Sequence, residues 1–151
     1  MATEHAANSS QYCTFFVDDL FFGIEVERIQ EVIRYQDITP VPLASRVVRG
    51  LINLRGQIVT AVDLRRRLKI GDRDDKNLPM NVVVNTEGEV VSLLVDEIGD
   101  VIEVSQGEYE PAPDTISPNA RELIRGVYKL DGQLMLVLDT DRAMALDKTK
   151  H

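Results

Sequence analysis

The sequence predicts an all-β protein in which one small, barrel-forming unit is written twice, with short helices at its corners. Three observations carry this. Short aliphatic and β-branched runs are punctuated by turn signals at Asp18-Asp19, Gly56, Glu87-Gly88 and Asp131-Gly132, the spacing of hairpins. The segment Arg49–Asp63 recurs as Arg125–Asp139, with six of fifteen positions identical, where composition alone gives about one. An upstream segment, Phe22–Ile33, recurs in the same order as Val91–Ile102: Val26, Ile29, Val32 and Ile33 return as Val95, Ile98, Val101 and Ile102. The second copy carries a longer loop, Glu103–Ser117. Repeats decide architecture before motifs do, and closing a sheet on itself is how a small β unit removes its edges.

The elements follow in order. Met1–Ser10 is small and polar and reads as a tail. Tyr12–Val17 and Leu20–Ile24 read as a hairpin, rich in aromatic and branched residues. Val26, Ile29, Val32 and Ile33 predict one helical turn running into a strand near Glu31–Arg34. Asp37–Pro42 has two prolines around Val41 and is extended. Ser45–Arg49 reads as a short helical turn. Leu51–Arg55 and Gln57–Val62 form a hairpin, and Asp63 caps a helix over Leu64–Lys69. Gly71–Leu78 is a charged loop, Met80–Val84 and Val90–Val95 a hairpin, and Glu103–Thr115 an acidic loop. Ser117-Pro118 starts a helix ending near Arg125. Val127–Leu130 and Gln133–Leu138 pair, and Thr140–Leu146 closes as a helix.

At 151 residues with 44% hydrophobic content, the chain can bury a full core without staples. With four Phe, four Tyr and no Trp, that core is aliphatic. The net charge of −8 opposes nucleic acid, which needs clustered cations, and an anionic membrane surface. The basic run Arg65-Arg66-Arg67 with Lys69 reads as a solvated helix face. The single cysteine, Cys13, forms no intrachain disulfide and suits a reducing compartment. No secretory leader and no apolar run of ~20 residues is present, so a cytoplasmic location is expected.

Catalysis finds no support. His5 and His151 lie at opposite ends, leaving no internal histidine to act as a general base. Cys13 has no histidine near it in sequence. Asp72–Asn77 faintly resembles a calcium loop but lacks the glycine and terminal acid such a loop needs, with Val83 at the twelfth position. No cofactor or metal is expected. Two copies side by side create a cleft, the default place for a binding site. The copies differ in charge at one turn, Arg55 against Asp131, which is the trace that a site in one copy would leave. Gly50 and Gly126 recur together, which points to a backbone role in both.

These residues resemble a known family. Asp37-Ile38-Thr39-Pro40-Val41-Pro42, then Gly50, then Asn53-Leu54-Arg55-Gly56, an apolar strand and Asp63-Leu64 are similar to the bacterial chemotaxis coupling proteins, the CheW family. Leu94-Val95-Asp96, Val101 and the Gly126…Asp131-Gly132 hairpin match its second half, so the resemblance spans roughly Tyr12–Leu146. It implies two five-stranded SH3-like barrels: a single domain over 12–146 with lobes at about 12–70 and 78–146, termini open to exchange between them, and tails at 1–11 and 147–151. It implies a non-catalytic adaptor that joins the cytoplasmic tips of chemoreceptors (methyl-accepting chemotaxis proteins) to the regulatory domain of a CheA-type histidine kinase, at membrane-associated arrays but without membrane insertion. Matched by motif, the receptor groove takes in Ile29, Gly50, Arg55, Ile98 and Val101, with Asn53 and Gly56 of the same run; Met80 and Val82 flank it, Glu31 lies near a partner surface, and the kinase meets exposed barrel edges. Thr60 and Ser92 depart from the family pattern, which often has proline and glycine there. Two other readings stay open: a scaffold of another chemosensory or twitching-motility pathway, and a small ligand-binding barrel.

Overall fold

The computed structural model describes residues 9–144 apart from 75, 87, 106 and 107; residues 1–8 and 147–151 of the expected tails, with Leu146, lie outside the described residues. Its strands are β1 (Ser9–Val17), β2 (Leu20–Glu25), β3 (Ile29–Ile33), β4 (Val48–Leu54), β5 (Gln57–Asp63), β6 (Met80–Thr86), β7 (Glu89–Val95), β8 (Glu97–Ser105), β9 (Tyr109–Glu110), β10 (Ile124–Leu130) and β11 (Gln133–Leu138). Its α-helices are α1 (Leu64–Arg67), α2 (Pro118–Arg121) and α3 (Thr140–Met144), and a 3₁₀ turn covers Val26–Arg28.

The strands form two sheets. One runs β8-β1-β2-β11-β10-β9 and the other β3-β6-β7-β5-β4. These orders superimpose when the repeat is applied: β8 takes the place of β3, β1 of β6, β2 of β7, β11 of β5 and β10 of β4. The parallel pairs β2–β11 and β5–β7 correspond as well. The sixth strand, β9, has its counterpart in an isolated bridge from Thr39 to Leu51, since Leu51 and Val127 occupy the same repeat position and Val127 pairs with Glu110. The sheets therefore do not divide the chain at its middle. Each copy gives its N-terminal hairpin to the other copy's sheet: β1–β2 joins the C-terminal strands, and β6–β7 joins β3, β4 and β5.

Apolar packing explains why this exchange holds. Tyr12, Phe21, Val104, Tyr128, Met135 and Val137 fill the six-stranded barrel. Ile52, Leu54, Val59, Ala61, Val83 and Leu94 fill the five-stranded one. The largest cluster lies between them, where Phe15, Phe22, Ile24 and Leu136 meet Val62, Val82, Val84, Leu93 and Val95. Val83 thus points into its barrel while Val82 and Val84 point at the other lobe. Strands buried on both faces read as unbroken apolar runs, which is the pattern of Val82–Val84 and, but for the buried Ser92, of Val91–Val95. The expected cleft between lobes is consequently filled by core, and only its rim reaches the surface.

Several elements differ from expectation. Ser9–Gln11 are paired with Ser105, Val104 and Glu103 instead of forming a tail. Ser45–Arg49 is a turn leading directly into β4, with the Val48 N–H donating to Ser45 O. The helix after Ser117 stops at Arg121 because Ile124 is taken into β10. Strand β8 extends into the expected Glu103–Thr115 loop; it is a sheet edge with mostly polar, exposed residues, so it lacks an apolar run. Ser92 is fully buried and donates to Asn81 Oδ1 at 2.7 Å, while Asn81 Nδ2 donates to Arg34 O at 3.1 Å. The serine at this position is thus part of a satisfied polar pair.

Candidate functional site

Strands β3 and β4 are the two free edges of the five-stranded sheet. Arg55 sits at the β4–β5 turn, where Arg55 (φ 51°) and Gly56 (φ 90°) both have left-handed backbone, as a tight two-residue hairpin requires. The Asn53 side chain fixes this turn, its Oδ1 accepting from the Gly56 N–H at 2.8 Å. Across the seam, Glu31 stands on β3 beside a register shift between Ile29 and Glu31, the kind of bulge that re-aims a side chain. The Arg55 guanidinium donates through one nitrogen to both Glu31 oxygens at 2.6 Å and through another at 3.2 Å. The pair spans the barrel's two edges. The Arg55 side chain nevertheless remains 70% exposed and that of Glu31 20%. In the other barrel these positions are Asp100 and Asp131, two acids, so the clamp exists in one lobe only.

The remaining sequence-derived positions separate into three groups. Ile29, Met80 and Ile98 are half-buried and pack onto the inter-barrel core from its rim. Val101 on β8 is 57% exposed and is one of the large apolar side chains that the surface displays. Val82 and Gly50 have no surface to offer. Val82 is fully buried in the inter-barrel core, and its expected place beside a partner is corrected accordingly. Gly50 (φ 149°) lies where its strand is pressed against the Thr39 carbonyl, and a Cβ there would also meet Ile38 Cγ2 at 2.7 Å. Its repeat partner Gly126 lies against the Tyr109 hydroxyl and, at 2.7 Å from a would-be Cβ, the Glu110 carbonyl. The recurrence of this glycine is explained by backbone crossing in both barrels.

A second charged constellation was not legible as a site. The arginine run expected to be a solvated face is drawn inward: the Arg65 side chain is 15% exposed and forks onto Asp96 at 2.9–3.1 Å. Arg73, from the loop expected to be fully solvated, is 7% exposed and reaches Asp96 at 3.1 Å and Asp63 at 3.3 Å. Asp63 is fully buried, caps α1 through the Arg65 N–H and receives Arg49 at 3.0 Å. The Asp18 N–H, from the β1–β2 turn of the other lobe, donates to Asp96 at 2.7 Å. Burial raises the Asp96 carboxyl, but the Arg65 hydrogen bonds, the Asp18 N–H and the charges of Arg65 and Arg73 together hold it below the usual carboxylate range. This network ties the exchanged hairpin to the first lobe, and a sequence reading misses it because its members, Asp18, Arg49, Asp63 with Arg65, Arg73 and Asp96, come from five separate segments.

Cys13 is buried, and burial raises its thiol above the ordinary range, away from the reactive thiolate. Among the described residues no group of three or more His, Cys, Asp or Glu could hold a metal, and no helix is long and apolar enough to cross a membrane.

Comparison with known proteins agrees with the geometry. Residues 11–148 match the CheW-like domain family. The chemotaxis protein CheW of Treponema pallidum is 30% identical over 140 residues, covering 89% of this chain and 82% of that protein. That of Thermotoga maritima is 31% identical over 137 residues, covering 91% and 89%. The crystal structure of the scaffolding protein TtCheW from Thermoanaerobacter tengcongensis is similar with a TM-score of 0.77 at 26% identity, covering 91% of this chain and 99% of that one. A twice-written barrel pair without catalytic groups, matched along nearly its whole length, places this chain in the CheW-like domain family, the non-catalytic adaptors of bacterial chemotaxis.

Proposed function

We propose that the chain couples the cytoplasmic tips of chemoreceptors to the regulatory domain of a CheA-type histidine kinase, in the cytoplasm at receptor arrays. The observation that carries the reading is the Arg55–Glu31 clamp beside an apolar rim. A receptor tip is a helical hairpin, and a helix docks through spaced apolar anchors in a groove. Ile29, Met80, Ile98 and the exposed Val101 supply the apolar contacts. Glu31 occupies part of the Arg55 fork and holds the planar head in place, while its other N–H donors face solvent. A preorganised guanidinium loses little freedom when it captures a carboxylate or backbone carbonyls. Asn53 and Gly56 act by holding the turn. The kinase regulatory domain meets exposed barrel edges, where unpaired backbone groups are available.

Arg55→Ala is expected to leave the unfolding midpoint nearly unchanged, because an exposed ion pair contributes about 0–1 kcal/mol, and to weaken assembly with receptor and kinase by about tenfold or more. The exchange Glu31→Arg with Arg55→Glu separates the two roles. It restores an ion pair across the seam, so a residue that serves only the barrel would be rescued in the array-assembly assay. The reading requires that it is not.

A further inference from the structure

Between the connection leading into β4 and the segment that follows α1 lies an open hollow of about 870 Å³. Leu43, Val47 and Ile70 provide its apolar lining, and Arg46, Arg66 and Lys69 stand around them. Among the described residues no acid lines it, although the chain carries 25 acids against 17 bases. Arg66 is partly engaged, through the Arg46 carbonyl at 3.0 Å and Asp72 at 3.5 Å. Arg46 and Lys69 make no ion pair among the described residues.

The apolar part is equally uncommitted. Val47 and Ile70 rest on the inter-barrel core and keep one side open. Leu43 is fully exposed and has φ 64°. Left-handed backbone is costly for a residue that carries a side chain, and in the free protein the leucine recovers none of that cost by burial. Strain kept at an exposed apolar residue, in a hollow where Arg46 and Lys69 make no ion pair among the described residues, is the signature of a surface that is completed by something else.

We propose that this hollow docks an extended acidic segment of a partner protein, which seats one apolar side chain against Leu43, Val47 and Ile70 and sets its carboxylates against Arg46, Lys69 and the free donors of Arg66. Charge selects the occupant. With a net charge of −8, the surface as a whole repels an acidic chain and steers it to this basic concavity. A bilayer is disfavoured by the same net charge and by the concave shape. The site shares no residue with the Arg55 clamp or the rim around Ile29, so it stands or falls separately from the receptor reading.

The test is selection of a random-sequence peptide library on the purified full-length protein, followed by fluorescence anisotropy with a synthetic copy of an enriched peptide. Enriched peptides are expected to combine Asp or Glu with one Leu, Ile or Phe. The double substitution Arg46→Glu with Lys69→Glu should weaken the synthetic peptide at least tenfold, and Leu43→Ser several-fold, with urea midpoints unchanged because all three side chains are exposed. Enrichment without acidic residues, or wild-type affinity in the double variant, would overturn the proposal. So would binding to phosphatidylserine-rich vesicles that is lost in the double variant while no acidic peptide is enriched.

Discussion

Gly50→Val should destabilise the protein by at least ~3 kcal/mol, measured as a fall in the urea midpoint. Two costs combine. The backbone at φ 149° is one that side chains rarely adopt, and the added carbon collides with the Thr39 carbonyl and Ile38. Thr39 cannot step aside, because its N–H and C=O both bond Leu51 at 2.8 Å. Gly132→Ala is the internal control. It has a similarly unfavourable φ of 76° but nothing within 4 Å of a new Cβ, so it should cost only about 1 kcal/mol. The difference between the two isolates the strand crossing from the turn conformation. Comparable losses in both would mean that the close approach at Gly50 is unimportant.

Asp96→Ala should be comparably damaging, by about 3 kcal/mol, since it takes from Arg65 and Arg73 the carboxylate they share and leaves them only Asp18 and Asp63. Arg73 is 7% exposed and Arg65 15%, and neither can turn to water without dismantling the loop above it. The pH dependence follows from the lowered carboxyl of Asp96. A depressed folded-state value means that the unfolded chain holds the proton more tightly. The contribution is fully present above the unfolded value of about 4 and is lost as pH falls through the folded one. The stability gap between wild type and Asp96→Asn should therefore be largest near neutrality and close progressively below about pH 4. A gap that persists unchanged into strong acid would assign the loss to packing instead of charge.

The repeat was readable in the sequence because turn glycines and caps are local: Gly56 and Gly132 close hairpins, and Asp63 caps the helix after β5, each within a few residues of what it serves. The hairpins, the duplication and the Arg55 turn all follow from such short-range signals. The filled seam does not. Which strand faces which layer depends on β1–β2 crossing to the far copy, and Val82 reads the same in a groove wall as in a core. Strand β8 was invisible for the opposite reason, being an edge whose residues are mostly polar. Arg65 looked solvated because its acids, Asp18 and Asp96, lie 47 and 31 residues away along the chain, and Asp96 lies 23 residues from Arg73. The pairing of Arg55 with Glu31 joins two residues, both implied by the family resemblance, that no spacing rule would have brought together.

The central claim is that a receptor helix uses the apolar rim while the kinase uses other edges of the barrels. The measurement that bears on it most directly is titration of wild type and Ile29→Asp with two partners, a receptor cytoplasmic hairpin and the kinase regulatory domain from the same organism, with an unfolding curve for each protein. Wild type is expected to bind both partners at micromolar concentration or tighter, and the variant to remain folded, lose receptor affinity by about tenfold or more and keep its kinase affinity. Equal losses toward both partners, or a wild-type protein that forms no complex with that kinase at micromolar concentration, would contradict it.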